Sequence, residues 1–281
     1  MLSTHIELGE PSKTSSYQEV SIPPNNQGGP YVCVKQIDLA RNRLTSSFDT
    51  SILAAWKLLS HKNVLNLYDY YVEGPILCLD LEVFQSENLV NFIWKQKAPI
   101  NEENVLKIIS EIVTGLIYAH QHDTLHGCLR TESILISENF DVKISGFGIA
   151  KFLTKDWFSV APEVTLGQPY SAASEVWSLG CICYELLTKV EPFSNLNPFN
   201  LSQSIIEYSI QDIEGEYSPE LKKLVFQMLE KNPQDRISLT EVGNSLKLIL
   251  DLFLIKRGVP MDATNVIPKE NEVNDNGQEP D

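Results

Sequence analysis

The hydrophobic period of this sequence changes once, near Ser86, and that change constrains the fold more than any other feature. Before it, YVCVKQI (Tyr31 to Ile37) and ILCLDLEV (Ile76 to Val83) carry β-branched residues and period-2 stretches, the pattern of strands. SIPPNNQGGP (Ser21 to Pro30) is a turn cluster, and SILAAWKLLSHKN (Ser51 to Asn63) is a single amphipathic helix among the strands. After it, Val105, Ile108, Ile109, Ile112, Val113, Leu116 and Ile117 form one helical stripe. Asn101, Glu102 and Glu103 suit the cap and first turn of that helix. Two short strands follow, SILIS and DVKIS, with Asn139 at the turn between them. Then come three helical stretches, SEVWSLGCICYELLT, PELKKLVFQMLE and SLTEVGNSLKLILDLFLI. The pattern predicts an α+β chain in which a small β-rich part with one main helix (1–84) precedes a larger α-rich part (85–257). Residues 258–281 are polar, acidic and aperiodic, and are expected to be disordered.

With 281 residues the chain can bury about three quarters of its unfolded surface. Its net charge of -15 argues against nucleic acid or an anionic membrane as partner, because both attract positive potential. Cys33, Cys78, Cys128, Cys181 and Cys183 form no C-x-x-C pair and read as reduced thiols, which points to the cytoplasm with the nucleus left open. The N-terminus lacks the basic-then-apolar pattern of a signal peptide. The longest apolar run, Leu246 to Ile255, is too short to span a bilayer and is interrupted by Lys247 and Asp251.

Eight short motifs occur in order: VCVK (Val32 to Lys35), HKNVL (His61 to Leu65), LDLEV (Leu79 to Val83), HGCLRTES (His126 to Ser133), KISGFG (Lys143 to Gly148), APE (Ala161 to Glu163), EVWSLGC (Glu175 to Cys181) and NPQDR (Asn232 to Arg236). Each alone is weak; in this order and spacing they make the chain resemble a eukaryotic protein kinase domain over roughly residues 1 to 255. The YVCVKQIDL stretch and the PELKKLVFQMLEKNPQDR stretch look similar to NIMA-related and other Ser/Thr kinases, not tyrosine kinases. The resemblance implies a bilobal fold, with a β-rich N-lobe and an α-rich C-lobe.

It also implies a role for each matched position. Lys35 matches the lysine that holds nucleotide phosphates, and Leu81 the gatekeeper, with Glu82 to Phe84 as hinge. Cys33 stands where the family has an alanine above the adenine ring, and Cys33, Lys35, Leu81, Glu82, Val83 and Leu135 are the nucleotide-binding candidates. Other positions depart from the family. LGEPSKTSS (Leu8 to Ser16) keeps one glycine of the phosphate-covering loop, and family spacing from His61 puts Ile52 where the helix glutamate belongs, with Asp49 one turn earlier as a possible substitute. Gly127 replaces an arginine and Cys128 the base aspartate, while Ser133 and Gly146 replace the two metal ligands. A thiol with an ordinary pKa near 8.5 is a poor substitute for a carboxylate base. One hydroxyl is a weak ligand set for a hard cation. The expectation at this level is a pseudokinase: not an enzyme, and no cofactor or bound metal, with room left for weak metal-independent ATP binding.

The fold-holding matches remain. Glu163 and Arg236 match a buried ion pair of the C-lobe, and Trp56, Leu67, His126 and Phe147 match a hydrophobic spine through both lobes. That retention suggests a scaffold or allosteric protein partner in signalling, its counterpart a protein, with an active protein kinase as first candidate. The alternative is a weak or unconventional ATP-dependent phosphotransferase that retains Lys35. Thr154 and Ser159 could accept phosphate, and Trp157 and Phe158 either pack inward or anchor a partner. A nucleophilic role for Cys128, with His126 two residues away, is a third reading.

Overall fold

The computed structural model describes residues 19–22, 32–39, 50–149, 159–193 and 201–257. The phosphate-covering loop at 8–16, Asp49, Thr154, Trp157, Phe158 and the acidic tail lie outside these residues.

Among the described residues, four antiparallel strands form the N-lobe sheet in the order β1-β2-β4-β3: β1 (Glu19–Ile22), β2 (Val32–Asp38), β3 (Leu67–Glu73) and β4 (Ile76–Glu82). Leu77, Leu79 and Leu81 alternate onto one face of β4 and are buried with Leu53 and Trp56 of α1 (Ser51–Leu58). The helix is shorter than its apolar pattern. Leu59 turns to extended backbone, the Ser60 N–H is taken by the Tyr118 hydroxyl, and the chain is then free to carry Asn63 to the C-lobe.

The C-lobe begins with a small antiparallel sheet, β5-β6-β7, made of β5 (Glu87–Asn88), β6 (Ile134–Ile136) and β7 (Val142–Ile144). Its helices are α2 (Leu89–Lys95), α3 (Glu102–Gln121), α4 (Pro162–Thr165), α5 (Ala172–Thr188), α6 (Leu201–Glu207), α7 (Pro219–Met228) and α8 (Leu239–Lys256). Asn101 caps α3 through the Asn104 N–H, and the expected apolar stripe of that helix is buried apart from Ile117, which is partly buried. Helix α5 is buried on nearly every face, as a central helix must be, and a Ser171–Ser174 capping box starts it. The fold is therefore the bilobal α+β kinase fold, a β-sheet lobe on a helical lobe.

Further short links join the lobes, besides that of Ser60 to Tyr118. The Asn63 side chain donates to the Val142 carbonyl at 2.9 Å and to Glu111 at 3.0 Å. Val64 makes an isolated parallel bridge to Ile144. Lys143 of β7 reaches Glu82 at the end of β4, 3.0 Å away.

Candidate active site

Strand register sets the upper wall of the cleft between the lobes. Lys35 lies opposite Leu79 and Cys33 opposite Leu81, so the period of two turns Cys33 and Lys35 to the same face of β2. β4 then delivers Glu82 and Val83. One Glu82 carboxylate oxygen accepts from the Asn66 backbone and side-chain N–H groups, at 3.2 and 3.0 Å, and the other pairs with Lys143. The Lys143 ammonium also stands 5.7 Å from the centre of the Phe84 ring. From below, Leu135 of β6 pairs in register with Lys143. The hinge is thereby fastened to the floor of the cleft by a half-buried ion pair.

A stack of rings runs behind the cleft. The Trp56 indole N–H donates to the Leu65 carbonyl at 2.8 Å, which fixes its ring 6.4 Å from that of Phe147. Phe147 lies 4.8 Å from the His126 ring, and Leu67 is buried in the same core. Next to Phe147, Gly148 has a φ of +72° and faces Ile52: a Cβ there would come within 3.2 Å of the Ile52 carbonyl oxygen. The first turn of α1 thus rests against the Gly146–Gly148 segment with an apolar residue at the contact.

The catalytic-loop positions hang on one carboxylate, that of Glu175 in α5. It accepts from the backbone N–H of His126 at 2.7 Å and of Gly127 at 3.3 Å, from the Tyr170 hydroxyl at 3.3 Å, and pairs with His120. His126 is fully buried. Its Nε2 lies 2.9 Å from the Ser145 carbonyl and its Nδ1 faces the Cys128 N–H at 3.4 Å, which assigns a neutral ring protonated at Nε2. Burial holds its pKa below the ordinary histidine value, against the pull of Glu175. Cys128 is half-buried. Ser133 is buried in a 3-10 turn, and its carbonyl accepts from Ser145, so the two segments that would flank a metal are zipped together by backbone. The two positions matched to metal ligands offer one hydroxyl, that of Ser133, and at Gly146 no side-chain ligand. This set does not fit a magnesium ion, which favours carboxylates. Among the described residues there is no group of three or more His, Cys, Asp or Glu able to hold a metal ion.

Glu163 and Arg236 lie at the base of the lobe as a bidentate pair, 2.9 and 3.0 Å apart. Arg236 also donates to the Ala173 and Glu230 carbonyls and stands 5.1 Å from the Trp177 ring. Burial alone would push the Glu163 carboxyl up. Arg236, its own peptide N–H and Ser174 outweigh that and hold it below the usual range.

Two features escape a reading of motifs. Glu175 was visible only as a replaced aspartate, and nothing local announced its four partners. A pocket below the catalytic loop is lined by Arg130, Thr131, Glu132, Ser159, Glu185 and Glu191, among others. There Glu185 accepts from Thr131 at 3.1 Å, and burial, then Glu191, pushes its pKa up to about 7. Its only sequence signal is a second acidic residue, after Glu175, in a largely apolar helix.

The family model for the protein kinase domain matches residues 15–246. The chain belongs to this family. It is 33% identical over 196 residues to the serine/threonine-protein kinase PLK4 of Xenopus tropicalis, covering 66% of this chain and 20% of the relative. It is 31% identical over 211 residues to Nek8 of Danio rerio (71% of this chain, 30% of the relative) and 28% over 241 residues to Nek9 of Xenopus laevis (81% and 26%). The chain thus spans less than a third of the length of these relatives. Nek8 and Nek9 support NIMA-related proximity, shared with PLK4. All three relatives carry the name of serine/threonine-protein kinase, and this overturns the expectation that the chain is an inactive homologue rather than an enzyme. The physical reason lies in the reaction. Phosphoryl transfer asks little covalent chemistry of the protein and draws on positioning by many groups, so counting absent side chains does not measure activity. Among the described residues, no helix is long and apolar enough to cross a membrane.

Proposed function

We propose that the chain is an unconventional ATP-dependent phosphotransferase of the Ser/Thr protein kinase family, slow by the standard of its relatives and dependent on Lys35. One observation carries this reading. Lys35 shares a strand face with Cys33 and lies in a sheet whose hinge end is fastened by the Glu82–Lys143 pair, so a nucleotide would meet a built cleft. Adenine would lie between Cys33 and Leu135, beside Leu81, with Glu82 and Val83 supplying backbone groups. Lys35 would draw the phosphates by charge. Cys128 offers no carboxylate for the acceptor hydroxyl, and a loose transition state lowers the demand for one.

The test is transfer of labelled phosphate from ATP to a generic Ser/Thr substrate, with Lys35→Ala as control. Transfer that falls at least about tenfold in the variant is expected; no transfer by the intact chain at millimolar ATP, with magnesium or manganese, would refute it. Thermal-shift titration of ATP separates failure to bind from failure to react.

The bonded C-lobe also supports docking of a protein partner, because the Glu163–Arg236 pair fixes the segment that leads to α5. A net charge of -15 favours a protein over nucleic acid there. Five cysteines outside any disulfide, three of them buried, suit the reducing cytoplasm.

A further inference from the structure

Helix α8 continues past residue 246, where the match to the kinase family ends, and its last turns carry an apolar stripe on the outer face. Leu246 and Ile249 are buried, and Leu250 and Phe253 pack on the core. Nearly opposite, Leu248 is 61% exposed and Ile255 54% exposed, with the half-buried Leu252 between them. The last turn is held in place: Arg257 pairs with Glu103 of α3 at 2.7 Å and covers the Phe253 ring at 4.4 Å. The stripe therefore sits on an ordered helix whose back is occupied.

Leu248, Leu252 and Ile255 are spaced by four and then three residues, the d, a, d spacing of a coiled-coil seam. Asp251 flanks the stripe on one side, at a g position, and Lys256 on the other, at the next e position. In a parallel pair of helices each g residue faces the e residue five positions on in the second helix. Asp251 of one copy would thus meet Lys256 of the other, twice by symmetry. An antiparallel pair brings g to g and e to e, and offers no Asp–Lys contact. The complementarity is between this helix and itself, and the net charge of -15 disfavours an anionic membrane as cover.

We propose that α8 is a homodimer seam, in which two copies of this chain pair in parallel through Leu248, Leu252 and Ile255, with Asp251 of each facing Lys256 of the other. Sedimentation equilibrium of the full chain over micromolar concentrations tests it. The intact chain should show a monomer–dimer equilibrium that Leu248→Glu with Ile255→Glu abolishes, while circular dichroism and the melting temperature stay as they were, since both residues are exposed. Asp251→Lys should weaken the dimer by about tenfold, and adding Lys256→Asp should restore it. A chain that stays monomeric, or a dimer that survives the glutamates, would overturn the seam. Failure of the charge swap to restore affinity would overturn the parallel pairing. A monomer that instead binds vesicles of phosphatidylserine and phosphatidylcholine would assign the stripe to a membrane.

Discussion

Glu185 shows how a single side chain ties the pocket below the catalytic loop to pH. Its carboxyl is raised from 4.5 to about 7 by burial and by Glu191. Between those values the folded chain holds a proton that the unfolded chain has lost, so this group's contribution to stability falls as pH rises through the window. Glu185→Gln should flatten that dependence and stabilise the protein by about 1–3 kcal/mol above pH 7. Urea unfolding of both proteins at about pH 5 and about pH 8 checks it; parallel losses would show that Glu185 does not titrate there. At this scale the sequence discloses residue types but not their company. Cys128, Ser133 and Gly146 are read directly from the motifs. Three of the four partners of Glu175 lie 48 to 55 positions away and have no local trace. The inference from absent carboxylates to absent activity fails for the same reason, because a site's electrostatics belong to its surroundings.

Helices and strands with strong periodicity are legible. The stripe and cap of α3 follow from its sequence, as do the strands around Lys35 and Leu81 and the long helices of the C-lobe. Less is visible where tertiary contacts decide. β3 has mostly exposed side chains and no clean alternation, α4 is a single turn after Pro162, and α1 stops early to free Asn63. That last contact gives an element-scale test. Gly115, inside α3, lies so close to the loop after α1 that a Cβ would stand 2.8 Å from the Asn63 carbonyl oxygen and 2.9 Å from Ile144 Cδ1. Alanine is the better helix former by about 1 kcal/mol, yet a clash with backbone costs about 1–3 kcal/mol. Gly115→Ala should therefore destabilise the protein on balance, seen as a lower denaturation midpoint; a gain in stability would mean that the loop yields freely.

The arrangement of the whole molecule is legible from the change of hydrophobic period and the order of the motifs, while the fastenings between lobes are not. Asn63 with Val142 and Glu82 with Lys143 are pairings of distant residues that no pattern couples. Lys143→Met would leave a half-buried Glu82 without its cation, a loss of about 1–3 kcal/mol. Amide exchange across Glu82 to Ser86 should then speed about tenfold or more, with α5 unaffected. Unchanged exchange at the hinge would show that the Asn66 contacts hold it alone.

Gly127 bears on the history this loop can still have. Glu175 grips the N–H groups of both His126 and Gly127, and residue 127 sits at a φ of +84° with no atom of the described residues, its chain neighbours aside, within 4 Å of where a Cβ would stand. Space is thus no obstacle to a side chain there, but handedness is: any L-residue would bear a backbone strain of about 1–2 kcal/mol that glycine escapes. A mutation restoring arginine would arrive already handicapped, before any phosphate existed for it to clasp. The strain falls on whatever side chain stands there, so this turn selects for glycine by backbone handedness alone.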